Sequence, residues 1–256
     1  MWTRRETIFG GALTILWGAG ATCAHGQIIG GRPVEGCMLP DLSANILLNR
    51  AAPPWLSMTG AEEMFPKSGD RDFDFALAHT LSAMSETFQI LPGFCYFDDS
   101  EAMNAYATNR VRLNRGDGTV LFGQRLLRRL MSQKEHPDVS VAAVCAHEFG
   151  HIMQYKRGLD RIVRAGQRTV KRVELQADFF AGYFAGVRKL GRPQYPAAVY
   201  ALTQHNFGDN MVNSPQHHGT PQERADAIVQ GFEAGFRQRR TLDDAINISV
   251  NYVQRL

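Results

Sequence analysis

The sequence predicts an α+β fold, mainly helical, with a small sheet beside one central helix. Apolar residues recur at three- and four-residue steps near 72–89, 141–155, 174–187 and 242–253, the spacing of helices with a buried face. Two short runs rich in aromatic and β-branched residues, Phe94–Phe97 and Thr119–Phe122, follow the turn signals Pro92-Gly93 and Asn114–Gly118 and read as strands. Composition is that of an ordinary globular protein. The 256 residues supply ample core, and a net charge of +3 gives no electrostatic case for nucleic acid or acidic lipid as main partner.

Residues 1–26 read as an export signal. Arg4 and Arg5 precede an uncharged run from Ile8 to Ala24 that ends in small residues. The run Thr3 to Ile8 resembles a twin-arginine signal. The chain is therefore expected to be exported, periplasmic or extracellular, with no stable membrane span in the mature protein. Residues 27–69 are Gly- and Pro-rich with little periodicity, and read as an extended segment wrapping a domain of residues 70–256. Export permits a disulfide. Cys37 with Cys95 is the expected pair, because Cys145 falls in the central helix; three buried thiols are the alternative.

Within the domain, Phe73, Leu77, Leu81, Met84 and Phe88 mark the first helix, and His79 on it reads as a surface residue. Asn104-Ala105-Tyr106-Ala107 begins a second extended piece. A helix starting at Gly123 carries Leu126, Leu127, Leu130 and Met131. The next is expected to start with Asp138 or Ser140 as its N-cap. Gly158 and Gly166 allow a reversal into the helix that begins near Glu174. Ala197–Gln204 reads as a short helix, and 206–219 as a long polar loop. Thr220, Pro221 and Glu223 form a capping box with proline at the first helical position.

The central helix carries His147-Glu148-Phe149-Gly150-His151. Residues four apart share a helix face, so His147 and His151 point two imidazoles at one ion. Glu148, one step round, reaches a water on that ion as general base. Zinc, one ion per chain, suits this donor set. Val141, Ala142, Val144, Cys145, Phe149 and Ile152 make the helix apolar on nearly every side. Polar groups buried there are costly unless a metal or partners satisfy them. The bland alternative is histidines and a glutamate that only hydrogen-bond one another.

A second acidic pair follows. Glu174 and Asp178 are again four apart, amid Ala177, Phe179 and Phe180, and Glu174 lies 23 residues after His151. Glu174 is the expected third metal ligand. Asp178 is expected to accept from the ring N–H of a metal-bound His, fixing its tautomer.

HEFGH followed by ELQAD resembles the gluzincin zinc metallopeptidases. The order of Asn104–Ala107, Gly118–Leu127, Val144–His151 and Glu174–Asp178 is similar to the HtpX and CAAX-prenyl-protease-like branch. The resemblance covers roughly residues 94–230; the transmembrane helices of many members are missing. It implies a zincin-type domain and a zinc endopeptidase acting on polypeptide substrates. It also implies that Thr119, Val120, Leu121 and Phe122 form an edge strand pairing with substrate, with an internal strand as the alternative. His218 to Arg224 resembles a segment bordering the active site in that family. On that basis His218 donates to the oxyanion and Arg224 orients Glu174 or Asp178; the alternatives are a surface histidine and a helix salt bridge. Other readings of the same residues are a non-catalytic, zinc-stabilised binding or chaperone-like protein and a cell-wall-directed zinc amidase.

Overall fold

The computed structural model describes residues 28–29, 32–33, 37–38, 68–100, 102–111 and 116–256. The expected export signal and most of the segment 27–69 lie outside the described residues. The architecture is α+β, dominated by helices. A two-stranded ribbon, β1 (Ile28–Ile29) with β2 (Arg32–Pro33), precedes helix α1 (Arg71–Phe88). Asp70 starts α1 by accepting from the Phe73 N–H, and Gln89 in the left-handed region ends it.

Three strands follow: β3 (Gly93–Phe97), β4 (Ala105–Thr108) and β5 (Thr119–Gly123). Their order is β3-β5-β4, with β5 parallel to β3 and antiparallel to β4. Every strand residue is buried, so the runs are continuously apolar rather than alternating. This order corrects the expected substrate strand. Thr119, Val120, Leu121 and Phe122 are central, paired with β3 on one side and β4 on the other, and present no edge. The outer strands are β3 and β4, and β4 has a further neighbour. The β4 Ala107 N–H donates to the Cys37 carbonyl at 2.9 Å, and Met38 bridges Ala107 in parallel.

Helix α2 (Gln124–Met131) leads to the central helix α3 (Pro137–Arg157). Its N-cap is His136 at φ 48°, neither Asp138 nor Ser140. Pro137 at the first helical position moves Asp138 into the first turn, where its charge suits the helix dipole. From Val139 to Gln154 every α3 residue is buried. Gly158, at φ 65°, closes α3; a short helix α4 (Leu159–Arg164) then leads to α5 (Lys171–Gly191). Helix α6 (Ala198–His205) and the polar loop precede α7 (Pro221–Phe232), opened by the expected Thr220–Glu223 capping box. A π-helical turn (Glu233–Arg237) and α8 (Leu242–Gln254) complete the domain.

Helix α5 packs between α3 and α7, and both approaches are close. A Cβ at Gly150 of α3 would stand 3.0 Å from the Ala177 Cα, so the glycine of the first motif meets the alanine of the second. A Cβ at Gly231 of α7 would overlap the Phe179 carbonyl oxygen. Cys37, Cys95 and Cys145 are buried thiols, so the expected Cys37–Cys95 bridge is not formed. Among the described residues no helix is long and apolar enough to cross a membrane.

Gly231→Ala gains about 1 kcal/mol in helix propensity but forces α7 off α5. Overpacking of about 1–3 kcal/mol should win, lowering the urea midpoint; a midpoint equal to wild type would refute this contact.

Candidate metal centre

Helices α3 and α5 bring three donor side chains together in the dry interior. His147 Nε2 lies 3.1 Å from His151 Nε2 and 3.2 Å from Glu174 Oε2, while His151 Nε2 is 3.6 Å from Glu174 Oε1. All three residues are buried. The i, i+4 spacing on α3 sets the imidazoles edge to face with ring centres 4.6 Å apart, and α5 sets Glu174 against both.

The far side of each ring decides which nitrogen faces inward. His147 Nδ1 is 2.8 Å from Asp178 Oδ1. A carboxylate only accepts, so Nδ1 carries the proton and Nε2 turns its lone pair to the cluster. For His151 a chain of hydrogen bonds gives the same answer. Ser249 Oγ donates to the Ile246 carbonyl, Gln176 Nε2 donates to Ser249 Oγ, and Gln154 Nε2 donates to Gln176 Oε1 and to the Val173 carbonyl. Gln154 Oε1 is left to accept, 2.7 Å from His151 Nδ1. His151 Nδ1 therefore holds the proton, and its Nε2 lone pair also points inward.

Arg224 orients the acid behind His147. Its Nε donates to Asp178 Oδ2 at 2.7 Å and its Nη2 to Oδ1 at 3.0 Å, a two-pronged pairing. Burial pushes the Asp178 pKa up, but the Arg224 guanidinium and His147 outweigh it and hold the carboxyl below its usual range. Burial disfavours charge on His147; the Asp178 carboxylate, and then Glu174, more than offset this and push the imidazole up to about 10. Glu174 is driven up by burial, yet His151 and His147 hold it well below the ordinary carboxylate range. The pocket thus calls for positive charge between the rings and Glu174.

A proton or a metal ion can supply that charge, and the donor set discriminates between them. One proton on His147 Nε2 serves a single neighbour at a time. His151 Nε2 at 3.1 Å and Glu174 Oε2 at 3.2 Å both compete for that one proton. Cys37 joins the same group: its donor atom and those of His147, His151 and Glu174 all lie within 4.8 Å of one another. Two imidazoles, a carboxylate and a thiol converging in an apolar interior fit a metal ion. Cys37 was not foreseen as a member; no spacing pattern links it to a helix motif 110 residues on (147 − 37).

Glu148 is buried and stands beside this group rather than in it. A cavity of about 10 Å³, lined by Cys37, Asn104, Val144, His147, Glu148 and Arg224 among others, has room for about one water. Comparison of the chain with family models, with curated proteins and with solved structures gives no match. The site therefore stands on its own residues.

His218 is buried and near enough that a positive charge on it would help depress Glu174. Its N–H donates to Asp209 Oδ2 at 2.9 Å, and Asp209 Oδ1 also accepts from the Met211 N–H and pairs with His217 Nδ1. The polar loop is thus an ordered structure pinned by Asp209. Gln154, Gln176 and Asp209 were not read from the sequence. Gln154, one turn beyond His151, was the one with a spacing signal.

Gln154→Met should weaken metal binding roughly 10–100-fold in competition with a chelator; unchanged affinity would remove its role in setting His151. Burial raises the Asp209 pKa, but hydrogen bonds from His218, His217 and Met211 reverse the sign and hold it far below its usual range. Such a carboxylate adds stability above its unfolded value of about 3.9, and that contribution drains away at lower pH. Urea midpoints should therefore fall more steeply below about pH 4 in wild type than in Asp209→Asn; equal slopes would contradict the pinning.

Proposed function

We propose that the protein is a zinc-dependent endopeptidase. One arrangement supports the reading: a buried His147–His151–Glu174 donor group adjoining a water-sized cavity whose wall includes Glu148. The separations of 3.1–3.6 Å suit the roughly 3.3 Å edge of a tetrahedron with zinc–ligand bonds of about 2.0–2.1 Å. Zinc, when bound, supplies a Lewis acid that acidifies water and polarises a carbonyl.

The chain's own residues do the rest. His147, His151 and Glu174 hold the ion, and Asp178 with Arg224 keeps His147 in the tautomer that presents Nε2. Glu148 takes the proton of the attacking water and returns it to the leaving amine nitrogen. The polypeptide substrate and the exported location are part of this proposal.

Cys37 favours a second reading. A thiolate as fourth protein donor closes a zinc site, the pattern of structural ions, and would make this a zinc-stabilised protein without catalysis. Chelator-sensitive proteolysis separates the two.

Casein cleavage is measured in wild type and in Cys37→Ala, which leaves three protein donors. We expect chelator to abolish cleavage. Glu148→Gln should keep one zinc but lose at least about 100-fold in rate, whereas His147→Ala, His151→Ala and Glu174→Ala should lose the metal. Full activity in Glu148→Gln would overturn the base assignment; no cleavage with or without Cys37 would favour the structural ion.

A further inference from the structure

Resting on that reading, we infer that the outer edge of β4 is the peptide-binding edge of the site. The segment bearing Cys37 is its resident occupant, with the Cys37 thiolate as a displaceable fourth metal ligand. Three contacts carry this. The Ala107 N–H on β4 donates to the Cys37 carbonyl at 2.9 Å, and Met38 continues the pairing as a parallel bridge. The Cys37 N–H donates to Glu174 Oε1 at 3.0 Å, directly on a metal ligand. The Cys37 sulfur lies in the donor group itself.

Strand addition to an open sheet edge uses the backbone, so an extended chain of almost any sequence can take this place. With β5 central in the sheet, the edges are β3 and β4, and β4 is the one packed against the HExxH helix. A residue seated on that edge at the register of Cys37 is delivered to the metal. A substrate carbonyl in the same register would arrive beside Glu148, which shares the small cavity with Cys37.

The resident segment therefore blocks the site twice, by filling the strand position and by filling the fourth ligand position. The cavity left beneath it takes about one water and no peptide. A tethered ligand acts at an effective concentration in the millimolar range, so a substrate must compete with a ligand that never diffuses away. Removing or capping the thiol frees the ligand position, where a water can take its place, and leaves the strand pairing as the remaining block.

The test uses the full chain with cobalt in place of zinc. Wild type should show a thiolate-to-cobalt charge-transfer band, and Cys37→Ala should hold one cobalt without it; a band that persists in Cys37→Ala, or is missing in wild type, overturns the ligation. Acetohydroxamate should perturb the cobalt spectrum of Cys37→Ala at a concentration at least about tenfold lower than in wild type, and equal affinity overturns the block. Ala107→Pro, which removes the outward N–H that holds the Cys37 carbonyl at a sheet edge where proline is tolerated, should hold one cobalt and respond to acetohydroxamate at a concentration at least about tenfold lower than wild type; a response equal to wild type overturns the edge assignment. Casein cleavage should rise about tenfold or more in Cys37→Ala. If the spectra behave as stated and neither form cleaves casein, the peptidase reading fails while the thiolate ligation stands.

Discussion

The pairing of Arg224 with Asp178 is the interaction on which the rest of the site leans. Both side chains are almost fully buried, and an isolated charge there would cost several kcal/mol. Neither group is tolerable alone: removing one partner of such a pair typically costs about 3–5 kcal/mol, because the other is left uncompensated. The pair joins α7 to α5, and Asp178 passes the constraint to His147 on α3. Replacing the pair with apolar groups would fill the space as well but would leave the His147 tautomer undecided. Its value lies in orientation rather than in stability.

That orientation depends on how near the helices come. Gly150 against Ala177 sets α3 close to α5, and Gly231 against the Phe179 carbonyl sets α7 close to α5. At these separations short side chains bridge neighbouring helices, so Asp178 reaches one turn of α3 and Arg224 reaches Asp178 without leaving ordinary hydrogen-bond distances. The second imidazole is wired differently. Its proton position is dictated through Gln154, Gln176 and Ser249 by a backbone carbonyl in the last helix. Two imidazoles on one helix thus answer to two separate networks, and the C-terminal helix acts on the second of them through Gln176 and Gln154.

Much of this was legible because helical periodicity turns sequence spacing into spatial placement. His147 with His151 and Glu174 with Asp178 are each one turn apart, and their apolar neighbours announce burial. The capping box at Thr220 was equally readable, since every atom involved lies within three residues. What failed was of another kind. Strand order is set by crossovers and by what covers each edge, so a short buried run such as Thr119–Phe122 carries no sign of being central. The start of α3 was misplaced by two to four residues because Pro137 outranks a good capping side chain further on. Cys37 was directed to a disulfide by the export argument, although its real neighbours come from a sheet edge and two helices that no local pattern connects to it.

Charge explains why a fourth donor here need not be a permanent one. With the imidazoles of His147, His151 and His218 neutral, a divalent ion and Arg224 would balance Glu174, Asp178 and an ionised Glu148, so the interior would be neutral before any thiolate enters. Adding the Cys37 thiolate leaves one excess negative charge in a medium where such charge is expensive. A structural site built around four ligands would gain from neutralising Glu148 or omitting it. This chain keeps Glu148 next to the donor group, and its Cys37 is attached by strand pairing with Ala107 rather than carried on a packed helix. On the proposed reading the thiolate would exchange for a neutral water, and Glu148, which lines the same small cavity, would be the base beside it.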